Sequence, residues 1–169
     1  MGCPRLRGNR NPLTIRRWAR SPRLRLAPRG GSSRHQQLDA WEETLSKAIE
    51  LARFVNLRLR SGFVVAGIEL SSEPMVDPLG REAVAHTRVV GRRFSILVRA
   101  ELSDAELSVT LYHEVLEAAA VASISAPLAV IEFNEADFER AARAMHDMVG
   151  LASPENLDRM LEHFGFSDD

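Results

Sequence analysis

At 169 residues with 45% hydrophobic side chains, the chain is sized for one domain with a real core. Its single cysteine, Cys3, excludes an internal disulfide framework and a cysteine-based zinc site, so any metal must be held by His, Asp or Glu. No apolar run reaches the roughly 18 residues a membrane helix needs, and a cytoplasmic protein with no membrane partner is the expectation.

The net charge of −1 hides a split. Residues 1–34 carry ten of the 22 basic residues and no acid, which leaves 12 basic against 23 acidic residues, or −11, for the rest. That balance weighs against a nucleic-acid partner for the domain itself. Residues 1–35, rich in Arg, Pro and Gly, read as a disordered basic extension, and residues 36–169 as a single α+β domain. Arg16-Arg17 lacks the apolar segment that a twin-arginine export signal requires. The same composition also fits an organelle transit peptide or a nucleic-acid-binding arm.

Leu38, Trp41, Leu45, Ala48, Ala52, Val55 and Leu59 recur at three- and four-residue steps, which predicts a long amphipathic helix over 36–60, ended by Ser61-Gly62. Strands follow. Phe63–Leu70 is apolar and β-branched, and Pro74 with Pro78-Leu79-Gly80 marks a loop. Ala83–Val90 and Arg93–Arg99 read as two strands of a small, mostly antiparallel sheet, joined in a tight hairpin at Gly91-Arg92. His86, alone on its strand, reads as structural.

Ser103 and Glu106 form a capping box that opens a helix from Asp104 to about Ser123. Leu107, Leu111, Val115, Ala118 and Ala122 make its buried stripe; Glu106, Thr110, His113 and Glu117 make a separate polar one. A further helix is predicted over Glu135–Val149 with Gly150 past its end, and a last one from Ser153-Pro154-Glu155 to about Phe164.

The polar stripe carries the candidate chemistry. His113 and Glu117, four apart on one helix face, can point at one ion with Glu114 beside them. That is the logic of the His-Glu-x-x-His helix, with the second histidine replaced by glutamate. A catalytic zinc needs a third protein ligand. Downstream lies Asn134-Glu135-Ala136 at the start of the next helix.

The pair His113-Glu114-Val115-Leu116-Glu117 and Asn134-Glu135-Ala136 resembles the gluzincin, thermolysin-type metallopeptidases over residues 111–140. The resemblance implies a zincin-like fold: a long N-terminal helix, a small sheet, the metal helix and two closing helices. It implies His113 and Glu135 as metal ligands, Glu117 in the place of the second histidine, and Glu114 as general base. Glu139 takes the place of an acid that supports the first histidine, though the family has aspartate there. The activity implied is metal-dependent hydrolysis of a peptide or protein, with the substrate extended along the edge of strand Arg93–Arg99.

Two carboxylates and one imidazole bring a divalent ion close to neutrality, where the family's set leaves it at +1. Such an ion acidifies water less, and oxygen-rich ligation moves preference from zinc towards harder ions such as manganese. His146 is the rival to Glu135 as metal ligand, or a contact to a bound substrate if the helices cross obliquely. Eleven residues separate them, roughly 16 Å along a helix, so both cannot bind one ion. On the competing reading the polar stripe is only a solvated helix face, and the protein is a non-catalytic interaction module on the same scaffold.

Overall fold

The computed structural model describes residues 13–18, 49–77 and 80–166. Its strands are β1 (Leu13–Trp18), β2 (Leu57–Arg58), β3 (Val64–Ser71), β4 (Met75–Val76), β5 (Glu82–Val90) and β6 (Arg93–Arg99). Its helices are α1 (Asp104–Ala122), α2 (Glu135–Val149) and α3 (Pro154–His163), with a single 3-10 turn at Leu51–Phe54. The fold is α+β.

The sheet runs β1-β5-β6-β3-β2, with β4 added beside β5. It is mixed: β3 and β6 pair in parallel, and the other pairings are antiparallel. A parallel pair needs a crossover, and residues 72–92, which contain β4 and β5, provide it. Gly91, with φ of 60°, and Arg92 close the β5–β6 hairpin, as the Gly-first turn requires.

Period-2 alternation selects the inner face of the sheet. Ala83, Ala85, Thr87 and Val89 of β5 and Phe94, Ile96 and Val98 of β6 are all buried. α1 packs across this face, chiefly on β5, and brings Leu107, Leu111, Val115 and Ala118 to it. α2 lies along α1, and Phe138, Ala142 and Met145 fill the seam between them. Tyr112, fully buried, donates its hydroxyl to the carbonyls of Gly150 (3.1 Å) and Leu151 (3.3 Å) and so ties α1 to the α2–α3 connection.

Three expectations are corrected. Of the long helix expected over 36–60, residues 36–48 lie outside the described residues, and the described remainder is not a continuous helix. After Phe54 the chain turns through Asn56 in the left-handed region (φ 53°) and enters β2. Gly62 then turns β2 back onto β3 rather than ending a helix. Leu59 is buried as its spacing implied, but its N–H donates to Phe63 O at 2.9 Å, because a hairpin satisfies the backbone there.

Leu13–Trp18, inside the stretch expected to be disordered, is a strand paired with β5 through registers such as Ile15↔Thr87. The rest of 1–35 lies outside the described residues. Finally, β6 is bonded to β5 on one side and β3 on the other, so it has no edge along which a peptide could extend.

Candidate metal centre

α1 begins where Ser103 accepts the Glu106 N–H and the Glu106 carboxylate returns a bond to the Ser103 N–H. The helix then runs unbroken to Ala122, so His113, Glu114 and Glu117 are held on a rigid element. α2 begins at Asn134, whose side-chain oxygen accepts from the N–H groups of Ala136 and Asp137. Asn134 is therefore a helix cap, and Glu135 is the first residue past it, where a negative charge suits the helix dipole.

The middle of the polar stripe of α1 is buried, while Glu106 at its start is exposed and Glu117 is partly so. His113 has no exposed surface and Thr110 is 2% exposed where α2 packs along α1, and Glu114, turned towards the sheet, has none either. His113 Nε2 lies 3.5 Å from Glu117 Oε2 and 3.4 Å from Glu135 Oε1, while His113 Nδ1 lies 3.6 Å from Glu139 Oε2. These separations exceed the ~2.7–3.2 Å of an N–H···O hydrogen bond, so the carboxylates act on the ring as charges. Among the described residues, neither ring nitrogen has a hydrogen-bond partner, and neither does Glu117 Oε2. The ring of Phe138, 6.0 Å away, packs beside the imidazole.

Burial alone would push the His113 pKa down. The carboxylates of Glu117, Glu135 and Glu139 and the charge of Glu114 outweigh it and push the value up to about 11. Without an ion, His113 at neutral pH is an imidazolium among carboxylates.

One atom each from His113, Glu117 and Glu135 lies within 4.8 Å of the others, which is the arrangement of a cation site. A tetrahedral ion with bonds of ~2.1 Å holds its ligand atoms ~3.4 Å apart. The two Nε2–oxygen separations, 3.4 and 3.5 Å, match that edge. Glu135 is half-exposed and Glu117 partly so, so the group opens to solvent on their side. These three residues could hold a divalent ion by donor type, spacing and orphaned nitrogens together.

The remaining candidates fall in distinct places. Glu139 stands at the far nitrogen of His113 and is gripped by Arg143 at 2.5 Å. Glu114 is turned towards the sheet, where its Oε2 accepts a 2.8 Å hydrogen bond from Thr87 Oγ1. His146 is not part of the group; its Nδ1 is 3.0 Å from Ser108 Oγ at the other end of the helix pair. His86 lies on β5, opposite Leu97 of β6, and is likewise not part of the group.

No family model, curated protein or solved structure matches the chain. The site is thus read from its own geometry.

Sequence reasoning missed Thr87 and Arg143. The alternation Ala83, Ala85, Thr87, Val89 was sufficient to put a hydroxyl on the inner face opposite α1. Arg143, four residues after Glu139, carried the i,i+4 signal of an ion pair.

Proposed function

We propose that this protein holds a divalent metal ion at His113, Glu117 and Glu135 and hydrolyses peptide bonds with it, Glu114 serving as the base. The observation that carries the reading is the pair of 3.4 and 3.5 Å separations around a buried imidazole whose nitrogens make no hydrogen bond to any described residue. An ion there would supply positive charge to acidify water and polarise a carbonyl. His113 contributes a neutral nitrogen only after losing its proton, which the surrounding carboxylates otherwise retain. Glu139 accepts the charge or proton remaining on Nδ1 and fixes the ring's orientation. Glu114 sits close enough for its charge to act on His113, and it reaches a substrate only by turning from Thr87.

That last requirement favours a second reading, a metal-stabilised interaction module without turnover. Glu114 is fully buried, and its bond to Thr87 joins α1 to the sheet whether or not chemistry occurs. Metal analysis of the protein after exposure to zinc or manganese, beside His113→Ala and Glu135→Ala, tests the shared part. Absence of stoichiometric metal in the parent protein rejects both readings. Turnover of a quenched peptide library by the loaded protein, lost in Glu114→Gln with metal retained, selects the hydrolase. Metal without turnover selects the module.

A further inference from the structure

β1 is an outermost strand of the sheet, bonded among the described residues to β5 alone. β5 does not depend on that pairing. Its residues Ala85–Val90 also pair with β6, and α1 packs on its inner face. Between Arg16↔His86 and Trp18↔Ala83 the register slips by one residue, which interrupts the ladder and weakens the hold on β1. Departure of β1 uncovers a row of backbone donors and acceptors on β5, the kind of edge to which an extended peptide adds as a strand.

Charge restricts which peptide fits. Residues 1–34 hold ten arginines and no acid, and β1 itself includes Arg16 and Arg17, while the rest of the chain carries −11. Trp18 pairs with Ala83 of β5. The next residue, Val84, lines a cavity of about 330 Å³ together with Glu106, Glu139 and Asp147. Arg143 in the same lining is paired with Glu139, and neither Glu106 nor Asp147 has a cationic partner among the described residues. The edge of β5 thus runs to an acid-lined cavity. A basic strand is attracted there and an acidic one repelled.

We propose that the edge of β5, with the acid-lined cavity at its end, is a docking site for an extended basic segment, and that Leu13–Trp18 is its resident ligand in cis. A basic segment of another protein binds by displacing β1. The backbone of β5 supplies the pairing, and the carboxylates select for positive charge. The site requires no ion at His113, Glu117 and Glu135.

The test uses metal-free full-length protein and a fluorescein-labelled peptide with the sequence of residues 9–22. Thr14 and Ile15 direct their N–H groups to opposite sides of the strand, so Thr14→Pro with Ile15→Pro removes the donor facing β5, whichever residue carries it. This variant is expected to keep the circular dichroism of the parent protein and to bind the peptide with a Kd below about 1 mM. The parent protein should bind it at least about 10-fold more weakly, because its own strand competes intramolecularly. A peptide with Arg16→Glu and Arg17→Glu should bind the variant at least about 10-fold more weakly than the parent peptide, a gap that narrows as salt is added.

A folded variant that binds neither peptide, or both equally, overturns the proposal. So does a variant that unfolds, since β1 is then part of the fold and not a ligand of it. Amide exchange in the parent protein gives a second readout. Thr14–Arg17 should exchange by local opening, well ahead of the β5–β6 amides, and equal protection overturns the proposal. A dimer of the parent protein that the variant loses assigns the strand to a second copy and overturns the cis arrangement. Because no metal is present, failure here is distinct from failure of the metal reading.

Discussion

Thr87 Oγ1 on β5 donates a 2.8 Å hydrogen bond to Glu114 Oε2 on α1, and both residues are buried in the seam between sheet and helix. A carboxylate placed there without such a donor is costly, because the interior does not replace its hydration. The bond therefore links the position of the candidate base to the register of the sheet.

Thr87→Val keeps the shape of the side chain and removes the donor. It is expected to destabilise the protein by about 1–3 kcal/mol, as loss of a hydrogen bond to a buried charged group does. Urea unfolding checks this, and an unchanged midpoint would show that the bond contributes nothing.

The raised pKa of His113 sets a pH dependence. The folded value of about 11 lies above the ordinary value of 6.5, so the folded state holds the proton more tightly than the unfolded chain. The stabilisation is fully present below the ordinary value and is lost as pH rises through the folded value. Stability of the metal-free protein should fall between those limits, and His113→Phe should flatten that part of the profile. Metal binding must displace the same proton, so zinc affinity should rise about tenfold per pH unit near neutrality. Calorimetry in buffers of different ionisation enthalpy would read one proton released per ion.

Glu139 Oε2 faces His113 Nδ1 at 3.6 Å, and Arg143 holds the other oxygen of the same carboxylate. Glu139→Gln keeps the size and removes the charge that orients the imidazole. Metal affinity is expected to drop roughly 10- to 100-fold with the metal-free fold intact. Competition with a chromophoric chelator measures it.

Tyr112 joins α1 to the α2–α3 connection, and burial raises its hydroxyl pKa to about 12, against a smaller lowering effect from Asn156. Tyr112→Phe leaves the carbonyls of Gly150 and Leu151 without that donor. A loss of about 1 kcal/mol is expected, visible as a lower Tm with metal binding unaltered.

The sequence by itself determined those elements whose signals are local. Ser103 with Glu106 and Ser153 with Pro154 place two helix starts, because a cap satisfies N–H groups only a few residues away. Gly91 places the β5–β6 hairpin for the same reason, since its turn depends on one residue's φ. The spacing of His113 and Glu117 likewise required only the pitch of a helix. What the tertiary structure decided depends on partners distant in the chain. Residues 55–62 carry helical spacing yet form a hairpin, because β3 offers them strand pairing. β6 lost its open edge when β3 paired with it in parallel across residues 72–92. Above all, periodicity could separate the polar stripe of α1 from the apolar one but could not say what covers it. Packing of α2 along α1 set Glu135 3.4 Å from His113, buried at the middle of that stripe, which makes it a candidate metal centre rather than a wet helix face.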